Sequence, residues 1–127
     1  MSENQIAREV VDAAYKIHTT LGPGLLESVY ERVLSYELTK RGLNHVRQKP
    51  IPIVYETEKF DEGFRADVVV EEKVIIELKS VEAIERVHNK QLLTYIRLAD
   101  KRLGLLINFG APIIKTGITR LVNKLEE

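Results

Sequence analysis

Ile6, Val10, Ala14, Ile17 and Leu21 recur at three- and four-residue intervals, which predicts an amphipathic helix that stops at Gly22-Pro23, because proline cannot continue it. A second helical pattern opens around Gly24 to Leu26. It carries Leu26, Val29, Tyr30, Val33 and Leu38 on its apolar side and has Gly42 past its end as a C-cap. Beyond Gly42 the period changes. Residues 51–56 and 64–71 are rich in β-branched and aromatic side chains, and Pro50 and Pro52 suit the first of these runs to a sheet edge or a strand start. Residues 73–79 form a third β-prone run, so close behind the second that the two should make a hairpin. Residues 84–100 return to helical spacing through Ile84, Val87, Leu92, Tyr95, Ile96 and Ala99, and residues 103–109 are a short apolar run suited to a buried central strand. Residues 115–125 are compatible with strand or helix. The order α, α, β, β, β, α, β predicts an α/β protein with a mixed sheet flanked by helices.

The chain has 127 residues, 44% hydrophobic and 30% charged, which fits one compact soluble domain over residues 1–127. A core of that size needs no disulfide or metal staple. The absence of cysteine excludes thiolate zinc sites, iron–sulfur clusters and cysteine nucleophiles, and it makes a secreted disulfide scaffold untenable. A cytoplasmic location is therefore expected. Residues 1–8 carry Glu3 and no apolar run, and no later run approaches the ~20 apolar residues of a bilayer-spanning helix, so neither a targeting nor a membrane segment is expected.

Nineteen basic residues balance nineteen acidic ones, but unevenly: the net charge is −4 up to Leu78 and +4 from Lys79 onward. Chance segregation on a solvated surface explains this. So does an acidic cluster able to hold a cation beside a basic surface able to hold a polyanion.

The informative chemistry is Arg65-Ala66-Asp67 followed ten residues later by Glu77-Leu78-Lys79, each on a predicted strand of the hairpin. A three-residue loop pairs Val70 with Val74 and so sets Asp67 opposite Glu77, with Lys79 on the same face. A two-residue loop would send the carboxylates to different faces. Two carboxylates beside an ammonium make physical sense around a hard divalent cation, Mg2+ or Mn2+, whose other positions take water and a phosphate oxygen. Such a cation neutralises charge building on a phosphoryl group, while Lys79 positions a water or steadies the same charge. This is the chemistry of phosphodiester hydrolysis. The competing explanation is a solvated hairpin face with an ion pair. The apolar runs on both strands argue against it, since a buried carboxylate without a partner is expensive.

Gly24, Glu27 and Tyr30 recur every third residue and would line one side of the second helix, with Gly24 permitting close approach. His88, Gln91 and Tyr95 would line one face of the third, His88 as a hydrogen-bonding or phosphate-facing side chain. Taken singly, these are a solvated glutamate, a surface amide and a core aromatic. Lys40, Arg41, Arg47 and Lys49 cluster around a turn, best read as a solvated loop.

Taken together, Gly24-x-x-Glu27-x-x-Tyr30, Asp67, Glu77-Leu78-Lys79, Gln91-x-x-x-Tyr95 and the run from Leu103 through Asn108-Phe109-Gly110 resemble the GxxExxY proteins of the PD-(D/E)XK nuclease superfamily. The resemblance runs over nearly the whole chain, in order. It implies a restriction-endonuclease-like core, a central mixed β-sheet with helices on both sides. It also implies that Asp67 and Glu77 ligate a metal, with the Leu78 carbonyl completing the set, and that Lys79 assists the attacking water. Glu27 would add a ligand directly or through water, and Gln91 and Tyr95 would arrange the site and the bound strand. Ala66 stands where the superfamily's name has proline, a position that supplies backbone shape and no ligand.

The resemblance implies a Mg2+- or Mn2+-dependent nuclease acting on nucleic acid, DNA before RNA. Rival readings are a binding or protein-interaction module that keeps the fold without turnover, and a hydrolase of a smaller phosphoester. Zero net charge and only eight aromatic residues leave few basic grooves or stacking platforms, which points to a rival reading or to a homodimer or protein partner.

Overall fold

The computed structural model describes residues 1–126; Glu127, the last residue of the expected domain, lies outside the described residues. The chain runs α1 (Glu3–Leu21), α2 (Glu27–Lys40), β1 (His45–Tyr55), β2 (Glu58–Val70), β3 (Val74–Lys79), α3 (Arg86–Leu98), β4 (Leu103–Asn108), a 3-10 turn (Ile114–Gly117) and β5 (Ile118–Val122). Ser2 opens α1 with a capping box: its Oγ accepts from the Gln5 N–H at 3.1 Å, and Gln5 Oε1 accepts from the Ser2 N–H at 2.8 Å. α2 ends in a Schellman motif. Gly42 adopts φ +73°, the Leu43 N–H reaches the Leu38 carbonyl at 2.9 Å, and the Gly42 N–H reaches that of Thr39 at 3.0 Å.

The five strands form one sheet in the order β1-β2-β3-β4-β5. Every neighbouring pair is antiparallel except β3 and β4, which are parallel and joined through α3, the crossover that a parallel pair requires. α1 and α2 cover one face through Ile6, Val10, Ile17, Leu34 and Leu38, which pack on Val68, Ile76, Leu105 and Ile107. α3 covers the other, with Leu92 and Ile96 on Val69, Ile75 and Leu106. β4 is buried along its whole length, as a paired central strand should be. The mixed sheet with helices on both faces is the architecture the sequence pattern predicts. No helix among the described residues is long and apolar enough to cross a membrane.

Three features differ from the pattern. β1 begins at His45, six residues before the β-prone run, because an edge strand with one open face shows no apolar alternation there. The β1–β2 hairpin reaches out to residues 56–57, with Val54, Tyr55 and Phe60 exposed. The undecided tail is a 3-10 turn followed by a strand antiparallel to β4.

Candidate active site

The turn at residues 71–73 pairs Val70 with Val74, the register that puts Asp67 and Glu77 together. The β2–β3 ladder continues through Val68 and Ile76 and stops one pair short of the two carboxylates. On the other side of β2, the pairs Arg47 with Val68 and Lys49 with Ala66 keep one register, yet the intervening pair, Gln48 and Asp67, is open. Asp67 therefore sits where β2 is released from both neighbours. Alternation changes phase at the same place: Val68 and Val70 pack toward α1 and α2, whereas Phe64, Ala66 and Val69 share the cluster beneath α3.

Carboxylates replace the missing ladder bonds. Asp67 Oδ2 accepts from the Leu78 N–H at 2.8 Å, and Glu77 Oε2 accepts from the Asp67 N–H at 3.3 Å. Burial first, then the hydrogen bond and charge of Asp67, push the Glu77 carboxyl up to about 9, so at neutral pH it keeps a proton. The Leu78 side chain lies in the core on the opposite face, so only its main chain belongs to the site.

A cavity of about 130 Å3 opens over this pair. Asp67, Glu77 and Lys79 form its floor, Glu27 reaches in from the first turn of α2, and His88, Gln91 and Tyr95 line it from α3. Burial of the Glu27 carboxyl raises it above the usual range, and the Lys79 ammonium works against that shift. Tyr95 is raised by burial and then by Glu77, and its ring stacks on Phe64 at 3.9 Å between centroids. His88 Nδ1 accepts from the Glu85 N–H at 3.0 Å at the start of α3. Because that donor is a main-chain amide, the proton of the neutral ring lies on Nε2.

Two sequence-predicted residues stand elsewhere. Gly24 does not line α2 beside Glu27, because the helix starts only at Glu27, and Tyr30, one turn into α2, is buried in the core and does not line the cavity. Gly24 lies in the preceding turn at φ +108°; a Cβ built there meets nothing within 4 Å, so the backbone conformation and not close approach calls for glycine. Tyr30 is fully buried, stacked on Phe109 at 4.5 Å. Its hydroxyl donates to the Gly22 carbonyl at 2.5 Å and accepts from the Leu25 N–H at 3.2 Å, which fixes the turn that launches Glu27. Leu26, expected on the apolar side of α2, is 73% exposed.

Other residues take part around the site: Glu31 and Gln48 were not singled out by the sequence, and Arg65 and Asn108 were quoted only within motifs, with no role of their own. Arg65 lines the cavity, and its place two residues before Asp67 was the available signal. Glu31 stands one turn beyond Glu27 and is buried, bonded by Arg47 and by Gln48 Nε2 at 2.6 Å. Asn108 ties down the chain that leaves β3: its Oδ1 accepts from the Val81 and Gly110 N–H groups, both at 3.0 Å, and its Nδ2 donates to the Val81 carbonyl at 2.9 Å. The predicted basic cluster is not a solvated loop: Lys40 and Arg41 end α2, Arg47 and Lys49 lie in β1, and Lys40, Arg41 and Arg47 are paired with acids.

Among the described residues, no three His, Cys, Asp or Glu side chains gather into a ready metal cage. The donor set is two apposed carboxylates with Glu27 across the cavity. It fits a hard divalent cation that keeps water or phosphate in its remaining positions.

Paired acids and a lysine thus meet on an α/β sheet at the point where β2 parts from both of its neighbours. The family model for the PD-(D/E)XK nuclease superfamily matches residues 4–121, and the chain belongs to that superfamily. The fold is similar to the crystal structure of SSO0001, at 18% sequence identity and a TM-score of 0.51. That match covers 80% of this chain and 52% of the other, so the chain spans about half the length of this solved relative. No curated protein matches.

Proposed function

We propose that this protein is a Mg2+- or Mn2+-dependent nuclease that hydrolyses phosphodiester bonds, with DNA as the favoured substrate. The observation that carries this reading is the meeting of Asp67, Glu77 and Lys79 with Glu27, Gln91 and Tyr95 around one cavity. Asp67 and Glu77 would hold the cation, the Leu78 carbonyl would complete the set, and Glu27 would contribute from across the cavity. The bound cation supplies Lewis acidity and positive charge at the phosphoryl oxygens. Lys79 orients the attacking water and steadies the charge that grows on the phosphoryl group. Gln91 and Tyr95 hold the strand against the floor, and His88 offers its Nε2 proton to a phosphate. The motif set resembles that of the GxxExxY proteins of the superfamily, and zero net charge with few aromatic residues supports a homodimer or a protein partner.

The test is cleavage of labelled single-stranded, double-stranded and branched DNA, and of RNA, by purified protein with Mn2+ or Mg2+, beside Glu77→Ala purified identically. Metal-dependent cutting that disappears in the variant supports the reading and identifies the substrate class. Lys79→Ala should lose cleavage while still binding Mn2+. Divalent binding without cutting by the wild-type protein would favour a binding module that keeps the fold.

A further inference from the structure

Gln48 is an L-residue at φ +50°, inside β1, directly across from Asp67. A left-handed backbone at a non-glycine residue persists only where the surroundings fix it, and here they do so from two sides. Arg65 Nη1 donates to the Gln48 carbonyl at 3.1 Å. The side-chain amide spends its two protons on two acids: Nε2 lies 2.6 Å from Glu31 Oε1 and 3.3 Å from Asp67 Oδ1. Those partners also settle the amide's orientation, since a flip would set its oxygen against both carboxylates. Glu31 is neutralised from behind by Arg47, whose Nε and Nη2 reach Glu31 Oε2 at 3.0 and 2.9 Å.

The result is a chain, Arg47 to Glu31 to Gln48 to Asp67, in which a neutral amide is the last link. Asp67 Oδ2 is already held by the Leu78 N–H. Gln48 holds the other oxygen, so the carboxylate is oriented by two hydrogen bonds and receives no permanent counter-charge from β1 or α2. A lysine or arginine in the place of Gln48 would neutralise Asp67 and compete with a cation; an amide orients it and leaves its charge for the cation.

We infer that Gln48 is a positioning residue that, through the Glu31 relay from α2 and its left-handed backbone in β1, sets the Asp67 carboxylate for cation binding. This rests on the nuclease reading above. Removing a hydrogen-bonding partner behind a metal ligand typically weakens metal affinity ten- to hundred-fold.

The experiment is calorimetric titration with Mn2+ alone, together with thermal melting, on wild type, Gln48→Met, Gln48→Gly and Asp67→Asn. Gln48→Met keeps the side-chain length without the donors. Gln48→Gly relieves the left-handed backbone, so it separates the amide from the fold. The expected result is a Mn2+ Kd raised about tenfold or more in both Gln48 variants, with a melting temperature in Gln48→Gly no lower than wild type. A Kd within twofold of wild type in both variants, while Asp67→Asn loses binding, overturns the positioning role and leaves the nuclease reading standing. Absence of Mn2+ binding by wild type, or unchanged binding by Asp67→Asn, overturns the nuclease reading and this inference with it.

Discussion

Glu37 and Glu77 are both withdrawn from water, and their surroundings treat them in opposite ways. Glu37, on α2, receives Lys16 at 2.9 Å, Arg41 at 3.6 Å and Lys40 at 3.8 Å. The Lys16 hydrogen bond, with the charges of all three, holds its carboxyl below the usual range. Glu77 faces another acid, with Lys79 too weak an influence to offset it, and rises to about 9. The first arrangement is a finished ion cluster that locks α1 to α2. The second sets two acids together where the sheet parts on both sides of Asp67, with the Lys79 ammonium lining the same cavity.

The largest effect that would sharpen this contrast is on turnover. Glu77→Ala should lower metal-dependent cleavage roughly a thousandfold, whereas Glu37→Gln should leave it within twofold of wild type; comparable losses in a single-turnover assay would erase the distinction.

Next in size is the dependence of metal-free stability on pH. Glu77 keeps its proton in the folded state up to about 9 and releases it in the unfolded state near 4.5. Between those values the folded state binds more protons, so stability falls as pH rises, by up to about 1.4 kcal/mol per pH unit. Glu77→Gln should flatten that slope, and Mn2+ should recover most melting temperature at the alkaline end. Glu37 carries the opposite sign. Its contribution is present above the ordinary carboxylate range and disappears as acid protonates it through its lowered folded value.

Smaller still, Glu37→Gln should cost about 1 kcal/mol at pH 7, because its partners are half exposed or share other acids. A denaturant midpoint unmoved by the substitution would mean the ion cluster does not hold the helices together. The smallest effect concerns the turn that sets Asp67 and Glu77 in register. Glu72 sits there at φ +58°, and Glu72→Gly should gain about 0.5 kcal/mol with Mn2+ affinity unchanged. A changed affinity would show that strain in the turn reaches the carboxylates.

Much of this was legible in the sequence, and the reasons are physical. Helical spacing marked α1 and α3, and apolar runs marked β3 and β4, because those elements bury a continuous face. β1 was cut short, since an exposed edge carries no such face. The register of Asp67 and Glu77 followed from a three-residue turn, and the structure has that turn. Gly24 was read as a neighbour of Glu27 on a helix, but three-residue spacing cannot reveal that the helix starts at Glu27 itself, nor that Tyr30, one turn further on, is buried in the core. Gln48 left no signal, because an amide that bonds across strands distant in sequence depends on where the sheet opens, and Asn108 was quoted in a motif without its role.

The proposed nuclease reading makes Asp67 and Glu77 the cation's ligands, with Glu77 giving up its proton as the cation binds. Calorimetric titration with Mn2+ at pH 7.5, in two buffers of different ionisation enthalpy, tests it directly on wild type and Glu77→Gln. The account predicts binding by wild type with release of about one proton per cation, and binding lost or strongly weakened in Glu77→Gln. Wild-type binding with no proton release, or equal affinity in both proteins, would contradict it.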